Sequence, residues 1–385
     1  MRRTVFNEDH EAFRETIRAF IEAEVVPVYD EWLTAGQAPR DFYFKLGELG
    51  VFGIEVPEEY GGAGENSFKF QAVISEECAR AGVSFGGSGV HVGLCLPYLM
   101  AYATDEQKKR WLPGFVSGEI MFAIAMTEPG TGSDLAGMKT TARLAADGSH
   151  YVLNGAKTFI TGGVHADRVI VCARTAPPSP EDRRAGISLF VVDTKAAGYA
   201  VGRKLDKLGL KASDTAELSF TDVKVPVEDL LGEEGKGFSY LGQNLPQERL
   251  AIAVGAYSQA AAAVRFARTY VKERTVFGQS VASFQNTKFE LAACKAEVDA
   301  AEAVVDRALD AHDKGELTAA DAASAKLFCT EVASRVIDRC LQLHGGYGYM
   351  NEYPIARLYA DNRVNRIYGG TSEVMKTIIA KSMGL

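Results

Sequence analysis

Between about residues 121 and 230 the apolar residues of this chain stop recurring at intervals of three and four and gather into short β-rich runs, a switch made once and reversed once. Before it, Phe13, Ile17, Phe20 and Ile21, then Leu46 and Leu49, then Val73, Ile74 and Cys78 have the spacing of amphipathic helices. Within it, strands are predicted at 121–126, 151–153, 169–173, 187–192 and 216–220. Asn154-Gly155 has the chemistry of a hairpin turn between two such strands, since both residues tolerate positive φ. The Pro177-Pro178-Ser179-Pro180 segment is expected to be a variable or disordered loop. After Gly235-Lys236-Gly237, helices are predicted near 245–273, 284–313 and 318–343, with Thr318 as N-cap before Asp321 in the first turn of the third. Runs such as Ala260-Ala261-Ala262-Ala263 suit either close packing in a bundle or plain helix propensity. A chain of 385 residues is long for one core, so three domains are expected: helical 1–120, a small antiparallel β-domain 121–232 and helical 233–385.

A net charge of −8 argues against nucleic acid or an anionic membrane as partner, because both select basic surfaces. Six separated cysteines with no C-x-x-C pair are expected to be reduced and buried. Six histidines without ligand spacing leave no expected metal. The N-terminus turns acidic and amphipathic at once, and no run approaches the roughly 18 apolar residues of a spanning helix, so a cytoplasmic protein is expected. The chain has no P-loop, no nucleophile elbow and no H-E-x-x-H helix. Gly130-Thr131-Gly132-Ser133-Asp134-Leu135 opens like a dinucleotide fingerprint. It has leucine at the third glycine and lies outside a βαβ unit, so that reading fails.

Two glycine-rich stretches remain. Residues 125–137 run from a strand into a turn dense in hydroxyls and glycine, whose amides suit a polar heterocycle or a phosphate. Residues 342–349, Gln342-Leu343-His344-Gly345-Gly346-Tyr347-Gly348-Tyr349, end a helix in glycines that stop it and expose backbone. Alone, each is consistent with an ordinary loop. Together they resemble the two signature motifs of the acyl-CoA dehydrogenase family. The likeness continues through Glu352, Arg357 and Asp361, through residues 157–163, Arg274 with Phe277-Gly278, Gln285, and residues 367–373. It covers about Phe6 to Lys381.

This resemblance implies a mainly α fold with a middle β-domain: an N-terminal helical domain, a β-barrel-like middle domain and a C-terminal four-helix bundle. It implies FAD as cofactor, an acyl-CoA substrate, an electron-transfer flavoprotein as acceptor and a homotetramer built as a dimer of dimers. By the same likeness Met126, Thr127 and Ser133 meet the flavin, Thr161 places its hydroxyl near N5, and Phe159 lies against the ring. Arg274, Phe277, Gln285, Gln342, Gly345 and Gly346 are implied to hold the pyrophosphate and adenosine across a subunit boundary, with Thr371 and Glu373 also at the cofactor. An arginine's planar, permanently charged fork suits phosphate.

One position departs from the commoner family pattern. The catalytic glutamate usually precedes the Gly-Thr of the C-terminal motif, and here that place is Gly369. Members resembling the long-chain and isovaleryl subgroups place the base where Glu248 stands in Leu245-Pro246-Gln247-Glu248-Arg249-Leu250, and the pairing is most like the long-chain subgroup. Read locally, Pro246 and Glu248 also suit a helix's first turn, where proline fits and the dipole favours an acid. As a base Glu248 needs a pKa raised by desolvation, which Arg249 would oppose if it pointed the same way. The likeness further implies that Ser133 and Arg249 serve substrate, and that the amide of Gly369 or Gly370 holds the thioester carbonyl with the ribityl 2′-hydroxyl of FAD. Residues 86–91 are implied to approach the far end of the acyl chain, small side chains there leaving a deep pocket. Three alternatives stay open: a branched-chain dehydrogenase, a non-catalytic flavin-binding homologue in a mixed oligomer, and an oxidase.

Overall fold

A computed structural model of the chain describes residues 3–179 and 181–385. Pro180, in the loop expected to vary, lies outside them, as do Met1 and Arg2. The N-terminal part is helical, with Glu8–Phe20, Arg40–Glu48, Lys69–Ala81, Leu96–Tyr102 and Asp105–Ser117 as its main helices. Each start has a chemical cause. Asn7 accepts from the amide of His10 while His10 accepts from Asn7, and Thr104 and Gln107 repeat the exchange, so orphan amides are satisfied reciprocally.

The middle part is an eight-stranded sheet of β1 (Phe122–Ala125), β2 (Thr141–Leu144), β3 (His150–Thr161), β4 (Arg168–Arg174), β5 (Ile187–Asp193), β6 (Tyr199–Lys204), β7 (Thr215–Pro226) and β8 (Leu230–Leu231). The main path runs β6-β7-β3-β2-β4-β5-β8, with β1 also on β4. The sheet is mixed rather than wholly antiparallel, because β1 pairs parallel to β4 along its length. Strand β4 shows why its sequence lacks alternation. Ile170 and Cys172 pack towards the N-terminal helices while Val169, Val171 and Ala173 fill the sheet's own core, so both faces are dry. Asn154-Gly155 makes no hairpin: both lie inside β3, at a register shift. Asn154 instead exchanges two hydrogen bonds with Asp222, and a Cβ on Gly155 would stand 2.4 Å from Thr140 Oγ1. Close strand approach, and not a turn, requires that glycine.

The C-terminal part packs Gly237–Glu273, Gln285–Asp313 and Ala319–Gln342 side by side, with Pro354–Asn362 and Ser372–Ser382 against them. Ala253, Ala256, Ala260, Ala263 and Ala267 recur at three and four and are wholly buried, so the alanines form the seam on which helices approach closely. Thr318 caps the third helix through the Asp321 amide, as expected. The first helix begins at Gly237, eight residues before the predicted start, so Pro246 sits in its third turn and Glu248 in its fourth. The dipole argument for Glu248 therefore falls, since that field fades beyond the first turn. All six cysteines are free and buried.

Candidate functional site

The helix Gly237–Glu273 places Glu248 and Arg249 side by side in sequence but about 100° apart in direction. Glu248 is 5% exposed and its Oε1 accepts the hydroxyl of Tyr98, from the helix Leu96–Tyr102, at 3.1 Å. Burial pushes its carboxyl up to about 7, and neither the Tyr98 bond nor the Arg249 cation, both of which favour the ionised form, cancels that rise. Such a carboxyl is half-charged near neutral pH, which is where a general base works best.

Arg249 turns the other way and its Nε donates to the carbonyl of Gly369 at 3.4 Å. Lys326, from Ala319–Gln342, is 1% exposed and donates to the carbonyl of Tyr368 at 2.5 Å and to that of Gly370. Burial, with Arg249 nearby, brings the Lys326 ammonium down to about 8. Gly369 and Gly370 have φ of 62° and 95°, and a Cβ at 369 would lie 2.4 Å from Ile252 Cδ1. The C-terminal turn thus reaches Arg249 and Lys326 through its backbone carbonyls.

A second group forms on the sheet. Lys157, wholly buried in β3, donates to the Met126 carbonyl at 3.0 Å and to Glu128 Oε1 at 2.9 Å. Glu128 also accepts from the amides of Lys139 at 2.6 Å and Thr140 at 2.9 Å, and its backbone pairs with Thr131. Burial alone would raise the Glu128 carboxyl, but Lys157 and these amides hold it below its ordinary value. The glycine-rich loop is therefore bolted at both ends. The Thr158 amide donates to the Thr127 carbonyl at 2.9 Å, and the next residue, Phe159, has φ 59° with 67% of its surface exposed. A bulky residue held left-handed at a register shift, with its ring turned outwards, is strained in the way ligand sites are. Met126, Thr127 and Thr161 are half-buried beside it, and Ser133 is exposed on the loop.

The remaining candidates lie apart. Arg274, Phe277, Gln285, Gln342, Gly345 and Gly346 are exposed around the far end of the bundle, where the Arg274 guanidinium stands 5.7 Å from the Tyr347 ring centroid. Helix rise puts Arg274 roughly 40 Å from Glu248. Thr371 caps Ser372–Ser382 by accepting from the Val374 amide, and Glu373 is exposed in that first turn. In the stretch 86–91, His91 is a core residue. It is wholly buried, bonded to the Phe115 carbonyl and the Phe122 amide, and driven by burial down to about 3. Gly86 has φ 61°, a turn conformation, and the Gly87 amide donates to Tyr43.

Tyr98, Lys326 and the Lys157–Glu128 pair escaped the sequence reading. Lys326 left a signal, a cation on the stripe shared by Ala322, Ala325 and Cys329; Tyr98, an aromatic in an apolar helix, left none.

Against known families, the acyl-CoA dehydrogenase N-terminal, middle and C-terminal domain models match residues 7–119, 123–223 and 235–384. The chain belongs to the acyl-CoA dehydrogenase family. It is similar to the long-chain specific acyl-CoA dehydrogenase, mitochondrial, of Sus scrofa, 45% identical over 99% of this chain and 88% of that one. It is also similar to the crystal structure of acyl-CoA dehydrogenase from Geobacillus kaustophilus, with a TM-score of 0.95, 47% identity and 99% of each chain covered. A third likeness, TM-score 0.90 at 35% identity over 98% of this chain and 67% of that one, is to acyl-CoA dehydrogenase complexed with FAD from Bacillus anthracis. As an acyl-CoA dehydrogenase the protein is an FAD-dependent oxidoreductase. Its residues fit a flavin: the outward ring of Phe159 offers an apolar platform beside polar backbone. Among the described residues nothing accepts from the amides of Gly369, Gly370 or Thr371.

Proposed function

We propose that this acyl-CoA dehydrogenase acts on long, straight acyl-CoA thioesters and that Glu248 is its base. The observation that carries the base is a buried carboxyl at about 7, next in sequence to Arg249, which bonds the C-terminal turn at position 369, where there is no side chain. Glu248 takes the proton from C2, the C3 hydrogen leaves with its electron pair, and the double bond forms between C2 and C3. FAD, when bound, supplies the hydride acceptor. Removing a thioester α-proton builds negative charge on the carbonyl oxygen, and the amides of 369 and 370 are the donors proposed to stabilise it. Burial around Glu248 excludes water and keeps the carboxyl basic. Met126, Thr127, Ser133, Phe159 and Thr161 are assigned to the flavin end, and Ser133 and Arg249 to substrate.

The long-chain assignment is supported by the base position and by the name of the Sus scrofa relative. Arg274, Phe277, Gln285, Gln342, Gly345 and Gly346 lie too far along the bundle to share one flavin with Glu248. They are therefore assigned to the adenosine end of a cofactor held by a second copy, in a homotetramer. The nearly full exposure of Phe277 and Tyr349 in the single chain supports such a contact. An electron-transfer flavoprotein is the proposed acceptor. Anaerobic titration of the holoenzyme with butyryl-, isovaleryl- and palmitoyl-CoA tests the substrate. Palmitoyl-CoA should bleach the flavin fastest; faster bleaching by isovaleryl-CoA would make it a branched-chain enzyme, and no bleaching a non-catalytic homologue.

A further inference from the structure

Three successive carbonyls, those of Tyr368, Gly369 and Gly370, accept hydrogen bonds from two buried cations. Lys326 takes the first and third and Arg249 the second. In extended chain successive carbonyls alternate in direction; the positive φ of both glycines breaks that alternation. A trans peptide is planar, so its N–H points opposite its C=O. Carbonyls drawn towards Lys326 and Arg249 therefore aim the amides of Gly369, Gly370 and Thr371 away from the bundle, and these are the amides without an acceptor among the described residues.

Lys326 has a second peculiarity. Among the described residues no carboxylate lies within ion-pair distance of it, or of Arg249. A buried ammonium answered only by carbonyl dipoles is expensive to keep, and an apolar residue would pack the same stripe at less cost. We propose that Lys326 is a positioning residue for thioester activation: by holding the peptide groups 368–369 and 370–371 on either side, it fixes the turn so that the N–H dipoles of Gly369 and Gly370 polarise the substrate carbonyl. This rests on the proposed placement of that carbonyl at the 369–370 turn.

The test uses the FAD-loaded enzyme with trans-2-tetradecenoyl-CoA carrying ¹³C at C1, a product-like ligand that cannot be dehydrogenated at C2–C3. Difference infrared spectroscopy reads the thioester carbonyl stretch. In the wild type binding should lower it. In Lys326→Met most of that lowering should vanish, and flavin reduction by palmitoyl-CoA should slow on the order of 10²-fold, the scale of losing one oxyanion donor. Unchanged carbonyl lowering in FAD-replete Lys326→Met would overturn the assignment. Should that variant fail to hold FAD, Lys326→Gln is read the same way, with partial loss supporting and full wild-type lowering refuting. Glu248→Gln separates the two readings, because it should abolish flavin reduction while leaving the carbonyl stretch as in the wild type. Undiminished reduction in Glu248→Gln would remove the base assignment and leave Lys326 to be judged on its own spectrum.

Discussion

Replacing Gly369 with alanine tests why this chain carries no side chain where many relatives carry their base. Gly369 has φ 62°, and holding an L-residue there costs roughly 1–2 kcal/mol. The added Cβ would stand 2.4 Å from Ile252 Cδ1, a separation no pair of carbons tolerates, so the isoleucine must leave its rotamer at about 0.5–1.5 kcal/mol. Ile252 is only half-buried and has room to turn, which keeps the second figure small. Gly369→Ala should therefore destabilise the fold by about 2–3 kcal/mol. Ile252→Val removes the offending methyl, and in the double variant about 1 kcal/mol of that loss should return as coupling between the two sites. Urea unfolding of the four proteins at one fixed FAD concentration measures the cycle, since bound cofactor shifts apparent stability by mass action. A coupling energy indistinguishable from zero, or a Gly369→Ala variant as stable as the parent, would refute the steric account.

Three further outcomes follow from buried charge. Tyr98→Phe removes the bond that favours ionised Glu248, so the midpoint of flavin reduction against pH should move from about 7 upwards by about one unit. The rate at pH 7 should then fall about fivefold; an unmoved midpoint would mean the Tyr98 bond is not made in the working enzyme. Burial raises Glu248 from 4.5 to about 7 on folding, so the native state binds its proton more tightly. Wild-type stability should accordingly fall by about 3 kcal/mol as pH climbs from below 4.5 through 7, a decline absent from Glu248→Gln in parallel urea titrations. Lys157→Met leaves Glu128 buried and unpaired, at about 3–5 kcal/mol, and should lower FAD content per chain by loosening the 127–137 loop; spectrophotometric FAD counting checks it.

Much of this was legible in the residues, and what was not has physical causes. Helical and β-rich segments announced themselves through period, and Thr318 through its hydroxyl before Asp321, because local chemistry decides those features. Gly345 does adopt the positive φ expected of the glycines that stop the helix ending at Gln342. Asn154-Gly155 misled because the same dipeptide serves a tight turn or a bulge inside a long strand, and only the position of Thr140 distinguishes them. The start of Gly237–Glu273 was placed late because Pro246 resembles a first-turn residue; in the fold, tertiary packing carries the helix through it. Glu248 needed the empty position at 369 to be noticed at all. Tyr98 meets it from another helix, and Lys326 meets the 368–370 turn, at sequence separations over which periodicity carries no information.

The most direct test of the account is anaerobic stopped-flow reduction of the flavin by palmitoyl-CoA in Glu248→Gln. Glutamine keeps the shape but cannot take a proton, so reduction should slow roughly 10²–10⁴-fold, the usual contribution of a general base, while acyl-CoA still binds. Reduction within tenfold of the wild-type rate would contradict the assignment of Glu248 as base.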